Sequence, residues 1–179
     1  MKDYYPEEIT FCYWGNPILR KESSKIEDPE SEELEEFIEK MKIALKEHNG
    51  LGLAGNQVNL DKRLALVTFP KEGEFSEIKA LINPEILELS EETEIEEEGC
   101  LSFPKLYLKV QRPYRIKAKA YIHGEGETII EAEGLLAREI CHEVDHLDGI
   151  VFIDRISQMK RSLIKKDLRE IAKKYSNVK

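Results

Sequence analysis

The chain has 179 residues, enough for one domain of ordinary size that buries its own core without disulfides or a structural metal. With 41% hydrophobic and 35% charged residues, its composition is neither that of a membrane-spanning protein nor that of a disordered one. A net charge of −9 argues against a surface built to hold phosphate backbones, and so against a DNA-binding protein.

That average hides an asymmetry. Between Ser157 and Lys179, eight Lys and Arg residues stand against only Asp167 and Glu170, a surplus of six positive charges. Acidic residues concentrate instead between Glu22 and Glu39 and between Glu85 and Glu98. An acidic body with a basic tail is a pattern that can mark a partner-binding segment. The cysteines, Cys12, Cys100 and Cys141, are few and odd in number, which fits a reducing compartment better than a disulfide scaffold. The opening Met1-Lys2-Asp3-Tyr4-Tyr5-Pro6-Glu7-Glu8 has neither the apolar stretch of a signal peptide nor the basic character of a transit peptide. No run of about 18 apolar residues occurs. The expectation is a cytoplasmic protein with no membrane contact.

In chain order, the first element is a helix expected from about Pro29 to Glu47. Leu34, Phe37, Ile38, Met41 and Leu45 recur there at helical spacing, and Asn49-Gly50 supplies the stop. The glycine-rich stretch Gly50-Leu51-Gly52-Leu53-Ala54-Gly55-Asn56-Gln57 follows, then a strand at Leu64–Val67. Short strand signals come at Ala80–Ile82, Ile86–Leu89 and Thr93–Glu97. Two segments alternate clearly, Leu106/Leu108/Val110 and Ile116/Ala118/Ala120/Ile122, and His123-Gly124-Glu125-Gly126 reads as a hairpin turn into Thr128–Ala132. A second helix is expected from about Gly134 to Leu147. A third runs from Ser157 to Tyr175, with Met159, Leu163, Leu168, Ile171 and Ala172 on one side. Consecutive strands flanked by helices that do not alternate with them predict an α+β fold of mainly antiparallel sheet.

His142-Glu143-Val144-Asp145-His146 is an H-E-x-x-H motif on the second helix. Four residues make about one helical turn, so His142 and His146 leave the same face, about 40° apart, and can grip one metal ion. Glu143 then stands beside the ion as a base for its water. Leu136, Ile140, Val144 and Leu147 form the opposite, core-facing side. Two histidines packed near a core is the bland alternative, yet two of the chain's four histidines fall in this one pattern. Catalytic sites of this kind take a third protein ligand. A histidine six residues on would serve, but Phe152 stands there, after a matching Gly149. Glu170 is the only downstream glutamate and has no supporting motif. Cys100, in Glu98-Gly99-Cys100-Leu101-Ser102, is the stronger candidate, against the alternative of a small buried thiol.

Three motifs in this order, the Gly50–Gln57 stretch, Glu98–Ser102 and His142–His146, closely resemble the peptide deformylase family. Gly15-Asn16-Pro17-Ile18-Leu19-Arg20, Leu81-Ile82-Asn83-Pro84-Glu85-Ile86 and Leu147-Asp148-Gly149 extend the resemblance over nearly the whole chain. It implies a hydrolase that removes the N-formyl group from the formylmethionine of newly made polypeptides and releases formate. It implies Cys100, His142 and His146 as ligands of one divalent metal, with iron(II) as the physiological ion and zinc, nickel or cobalt also able to fit. Water on the metal would attack the formyl carbon with Glu143 as general base and acid. Gln57 and the backbone N–H of Leu101 would stabilise the oxyanion. Gly50 and Gly52 would admit an extended peptide, and Leu51, Leu135 and the stem of Arg138 would line a methionine pocket.

The implied architecture is a sheet around a central metal-binding helix, with residues 1–156 as the catalytic domain and 157–179 as a basic C-terminal helix. That helix is where a ribosome contact would be made. Three positions depart from the family pattern: Gly55 where alanine is usual, Asn59 where glycine is common, and Cys141 where glutamine is usual. Gly55 is expected to loosen the loop that presents Gln57, and Cys141 to be a packed thiol. Arg112 is a candidate ion-pair partner for Glu98 or Asp145.

Overall fold

The computed structural model describes residues 5–70 and 76–175. Helix α1 spans Glu32–Glu47, one turn later than the sequence suggests. Ser31 caps it by accepting from the Leu34 N–H, which the upstream Pro29 cannot do. Leu34, Phe37, Ile38, Met41 and Leu45 are all buried, as their spacing requires.

A five-stranded antiparallel sheet follows, in the order β1 (Gly52–Ala54), β2 (Leu64–Phe69), β3 (Glu77–Leu89), β6 (Arg115–Ile122), β7 (Gly126–Glu133). β4 (Thr93–Gly99) and β5 (Tyr107–Pro113) form a separate two-stranded ribbon. The run Leu64-Ala65-Leu66-Val67 lacks alternation because both of its faces are covered. Leu64 and Leu66 pack with α1, while Val67 packs against helix α2 (Gly134–Leu147) with Leu81, Ala118 and Ile140.

The segments at Ala80–Ile82 and Ile86–Leu89 are one strand rather than two. Pro84 donates no hydrogen bond and Asn83 sits at φ 51°, so the register with β6 shifts there while the chain runs on. Asn83 closes the gap by pairing its amide with the N–H and carbonyl of Ile26, at 2.9 Å each.

The third helix is divided. α3 (Gln158–Leu163) ends at Ile164, and α4 (Lys165–Tyr175) follows directly. The turn breaks the apolar stripe. Leu168 and Ile171 are buried against Cys12, Phe103, Val151 and Phe152, whereas Met159 and Leu163 are exposed. Asp154 fixes the approach to α3, accepting from Arg20 and pairing with Arg161 at 3.0 Å. Among the described residues no helix is long and apolar enough to cross a membrane.

Candidate metal centre and active cleft

Helix α2 carries the site because its two faces differ in kind. Ile140 and Val144 pack into the sheet core, and Leu147 packs with Ala54 and Ala65. The other side brings His142 and His146 together, ring centroids 5.0 Å apart. The β4–β5 ribbon delivers Cys100 to the same point. The ligand atoms of Cys100, His142 and His146 all lie within 4.8 Å of one another, and Cys100 Sγ is 3.2 Å from His146 Nε2.

This donor set fits a divalent metal. His142 commits Nδ1 to Glu98 Oε2 at 3.1 Å, which leaves Nε2 for the centre. Burial holds His146 well below the usual imidazole range, in the neutral form that binds metal. Burial opposes a cationic His142, but hydrogen bonds with Cys100 and Glu98 raise its pKa regardless. Glu170, the rival third ligand, is absent from this cluster. It lies on α4, 3.9 Å from Lys166. Phe152, at the other rival position, packs between His142 and Phe103.

Glu143 is buried, with Oε2 making no hydrogen bond. Burial pushes its carboxyl up to about 8, so it can hold or release a proton near neutral pH. Gly52 makes room for it: a Cβ there would lie 2.8 Å from the Glu143 carboxyl carbon. Gly52 thus also has a use internal to the protein. Gln57 accepts from Ala54 N–H through Oε1, which turns its amide nitrogen toward Cys100 Sγ (3.4 Å) and Ser102 Oγ (3.2 Å).

Gly55 sits in a closely packed part of this loop. It is buried in the 3₁₀ turn Gly55–Val58, and a Cβ would stand 2.8 Å from the Lys62 carbonyl oxygen, so glycine permits close packing. Asn59 ends the turn at φ 61°, a left-handed conformation that asparagine tolerates better than most residues. Cys141 is a packed thiol, pushed up to about 11 by burial.

A cleft of about 560 Å³ opens on the centre, lined by Gly50, Leu51, Gly52, Gln57, Cys100, Leu101, Leu135, His142 and Glu143. Arg138 is not in it. It is 1% exposed, and it donates to Glu98 Oε1 (3.0 Å), the carboxylate that also meets His142, and to the Val110 carbonyl (2.9 Å). The residue that does face the cleft one place later is Glu139. The spacing Leu135, Glu139, His142, Glu143 would have identified it, since these four recur on one helical face.

Behind the ligands lies a charge network. Arg112 grips Glu98 with two hydrogen bonds (2.7 and 3.1 Å) and reaches Asp145 at 2.6 Å, and Arg155 also donates to Asp145. Arg112 thus pairs with both carboxylates considered from the sequence. Burial alone would favour a neutral Glu98, but hydrogen bonds from His142 and Arg112 outweigh it and hold the carboxyl well below the ordinary range.

Fold and site together define a metal-dependent hydrolase of the H-E-x-x-H type, with a cysteine placed beside the two histidines. A family model described as polypeptide deformylase matches residues 9–162. The peptide deformylase of Thermotoga maritima is 42% identical over 161 residues, 89% of this chain and 94% of that protein. That of Natranaerobius thermophilus is 43% identical over 146 residues, 82% and 90% of the two chains. Among solved structures, a plant peptide deformylase superposes with a TM-score of 0.88 at 30% identity, covering 98% of this chain and 95% of that one. The Ehrlichia chaffeensis enzyme gives 0.83 at 30% identity, covering 95% and 98%. This chain belongs to the peptide deformylase family, and its activity is removal of the N-formyl group.

Because the folded-state pKa of Glu98 is depressed, its contribution to stability is complete above the unfolded value of about 4.3. It is lost as pH falls from there through the folded-state value. Glu98→Gln should therefore flatten the acid limb of a stability profile measured by urea unfolding. Arg112→Met, which strands two buried carboxylates, should cost about 3–5 kcal/mol at neutral pH in the same assay.

Proposed function

We propose that this chain deformylates formylmethionyl peptides as they leave synthesis in the cytoplasm, with one divalent ion held by Cys100, His142 and His146. The observation that carries this reading is the convergence of a thiol and two imidazoles beside a buried glutamate with an unengaged oxygen. When bound, the ion supplies a Lewis acid that polarises the formyl group and acidifies water. Thiolate with two imidazoles suits iron(II), zinc, nickel or cobalt. We favour iron(II) on the family resemblance.

The remaining work falls to the protein's own groups. Glu143 takes the proton from the attacking water and passes it to the leaving amine, a role its elevated pKa suits. Gln57 has one oxygen already committed to Ala54, so its amide protons are directed to the centre, where they meet the oxyanion as it forms. The Leu101 N–H, adjoining Cys100, is the second donor. Gly50 and Gly52 border the cleft beside β1, an edge strand whose free side can pair with an extended peptide. Leu51 and Leu135 offer apolar contact to the methionine side chain.

Formate release from a formyl-Met tripeptide by anaerobically prepared, iron-loaded protein tests this directly. Glu143→Gln should keep its metal and lose at least about 100-fold in kcat. Cys100→Ala should lose metal and activity together. If Glu170→Ala abolishes activity instead, or Glu143→Gln retains it, the assignment fails.

The basic helix α4 supports a second, separate contact. Lys166 is largely exposed and only loosely paired with Glu170, while Leu168 and Ile171 hold the helix to the body. Ribosomal RNA is the partner we infer for it. Co-sedimentation with ribosomes should weaken steeply with salt. Equal binding by a variant with Lys165, Lys166, Arg169 and Lys173 changed to glutamine would remove this partner.

A further inference from the structure

At the C-terminal end of α2, polar atoms gather around the backbone of the second histidine. The Asn56 side chain, fully buried, donates from Nδ2 to the His146 carbonyl, which also accepts from the Gly149 N–H at 3.1 Å. The Ser23 N–H donates to the next carbonyl, that of Leu147, at 2.8 Å. Asn56 and Ser23 are thus tied to the turn that carries His146. Each of these residues also holds one buried atom that no described residue meets: Asn56 Oδ1, Ser23 Oγ and His146 Nδ1. Arg63, which also reaches this turn, is spent on the Pro84 and Leu147 carbonyls and on Asp148.

The three atoms are chemically complementary. His146 turns Nε2 to the centre, 3.2 Å from Cys100 Sγ. A neutral imidazole whose Nε2 serves as a ligand carries its proton on Nδ1, so that atom is a donor. Asn56 Oδ1 is an acceptor, and its direction is settled because Nδ2 faces the His146 carbonyl; the reverse would set two acceptors against each other. The Ser23 hydroxyl serves in either role. Holding the helix carbonyl needs only the amide nitrogen, which leaves the buried Asn56 oxygen without a use, and a buried polar atom left unanswered is costly. His142 has its own Nδ1 held by Glu98, and no such carboxylate meets His146 among the described residues.

We propose that Asn56 is a positioning residue for His146: its Nδ2 holds the backbone of the histidine, and its Oδ1 answers the ring Nδ1–H across one bridging water, with Ser23 Oγ as that water's third partner. Three hydrogen bonds to otherwise unpaired groups is the usual setting of a buried water. The inference rests on the reading of Cys100, His142 and His146 as the metal centre. By fixing the tautomer and the ring, these contacts present Nε2 to the ion already aligned. The two histidines are then steadied by different means, His142 by a carboxylate from β4 and His146 by a neutral amide from the 3₁₀ turn Gly55–Val58. One short turn therefore supplies Gln57 to the centre and holds a ligand through Asn56.

The test follows the two ring protons separately, by proton–nitrogen correlation NMR on the zinc-loaded full chain, with zinc affinity measured by competition against a chelator. Asn56→Leu should weaken zinc binding about 10–100-fold and expose the His146 Nδ1 proton to solvent exchange, while the His142 proton, bonded to Glu98, keeps its shift. Asn56→Asp keeps the acceptor and the shape, and serves where the leucine variant does not fold. It should retain a His146 proton, moved downfield by the charged acceptor. Zinc affinity within about twofold of the parent's and an unmoved His146 proton in Asn56→Leu, or a His146 proton lost in Asn56→Asp, overturns the proposal. Equal disturbance of both ring protons does so too, since it marks a general loosening. A parent that binds no zinc would instead overturn the reading of the centre.

Discussion

One buried carboxylate holds the active centre together. Glu98 accepts from Arg112 twice, from Arg138 on α2, and from the ring of His142. Two residues later the chain delivers Cys100. The same carboxylate therefore ties the β4–β5 ribbon to the helix that carries both histidines, and sets which nitrogen of His142 faces the centre. Its ion pairs add modestly to net stability, since desolvating such charges costs nearly what their attraction returns. Removing a single partner is far more damaging than replacing the whole set, because it leaves a charge stranded in the core. What the network secures is geometry.

Space is the second constraint. α2 approaches β1 closely enough for Glu143 to face the cluster, and a glycine at 52 leaves room for its side chain. Gly55 allows the next turn to close against the Lys62 carbonyl, which fixes the direction of Gln57. The glycines of this segment thus serve the catalytic groups from behind. The result of that packing is a cleft lined by Gln57 and Leu101 as well as by Glu143.

The cluster of Cys100, His142 and His146 was legible because chemistry of this kind leaves a fixed spacing. H-E-x-x-H on a helix can be read from one turn of geometry, and the Cys100 motif stood out beside it. Alternation in Leu108, Val110 and Arg112 places Arg112 on an inward face, so its pairing with Glu98 and Asp145 was within reach. Arg138 was misread because helical angle alone put it near the ligand face. The angle did not reveal that Glu98, from a strand forty residues earlier, would claim its guanidinium. Glu139 was overlooked for a related reason: a glutamate on a helix is ordinarily solvated, and only tertiary contact showed it facing a cleft. The merging of two short strands into β3 and the break at Ile164 were likewise beyond local pattern. The first depends on what the backbone meets at Asn83, not on propensity.

If the Glu98 network is what positions the centre, its loss should be felt first in metal affinity. Titration of the apo protein with cobalt(II), followed by thiolate-to-metal absorption, measures this most directly. The parent should bind one ion per chain with a tetrahedral spectrum that Cys100→Ala lacks. Glu98→Gln should bind the same single ion about 10–100-fold more weakly. Equal affinity in parent and Glu98→Gln, or a cobalt spectrum that persists without Cys100, would contradict the account.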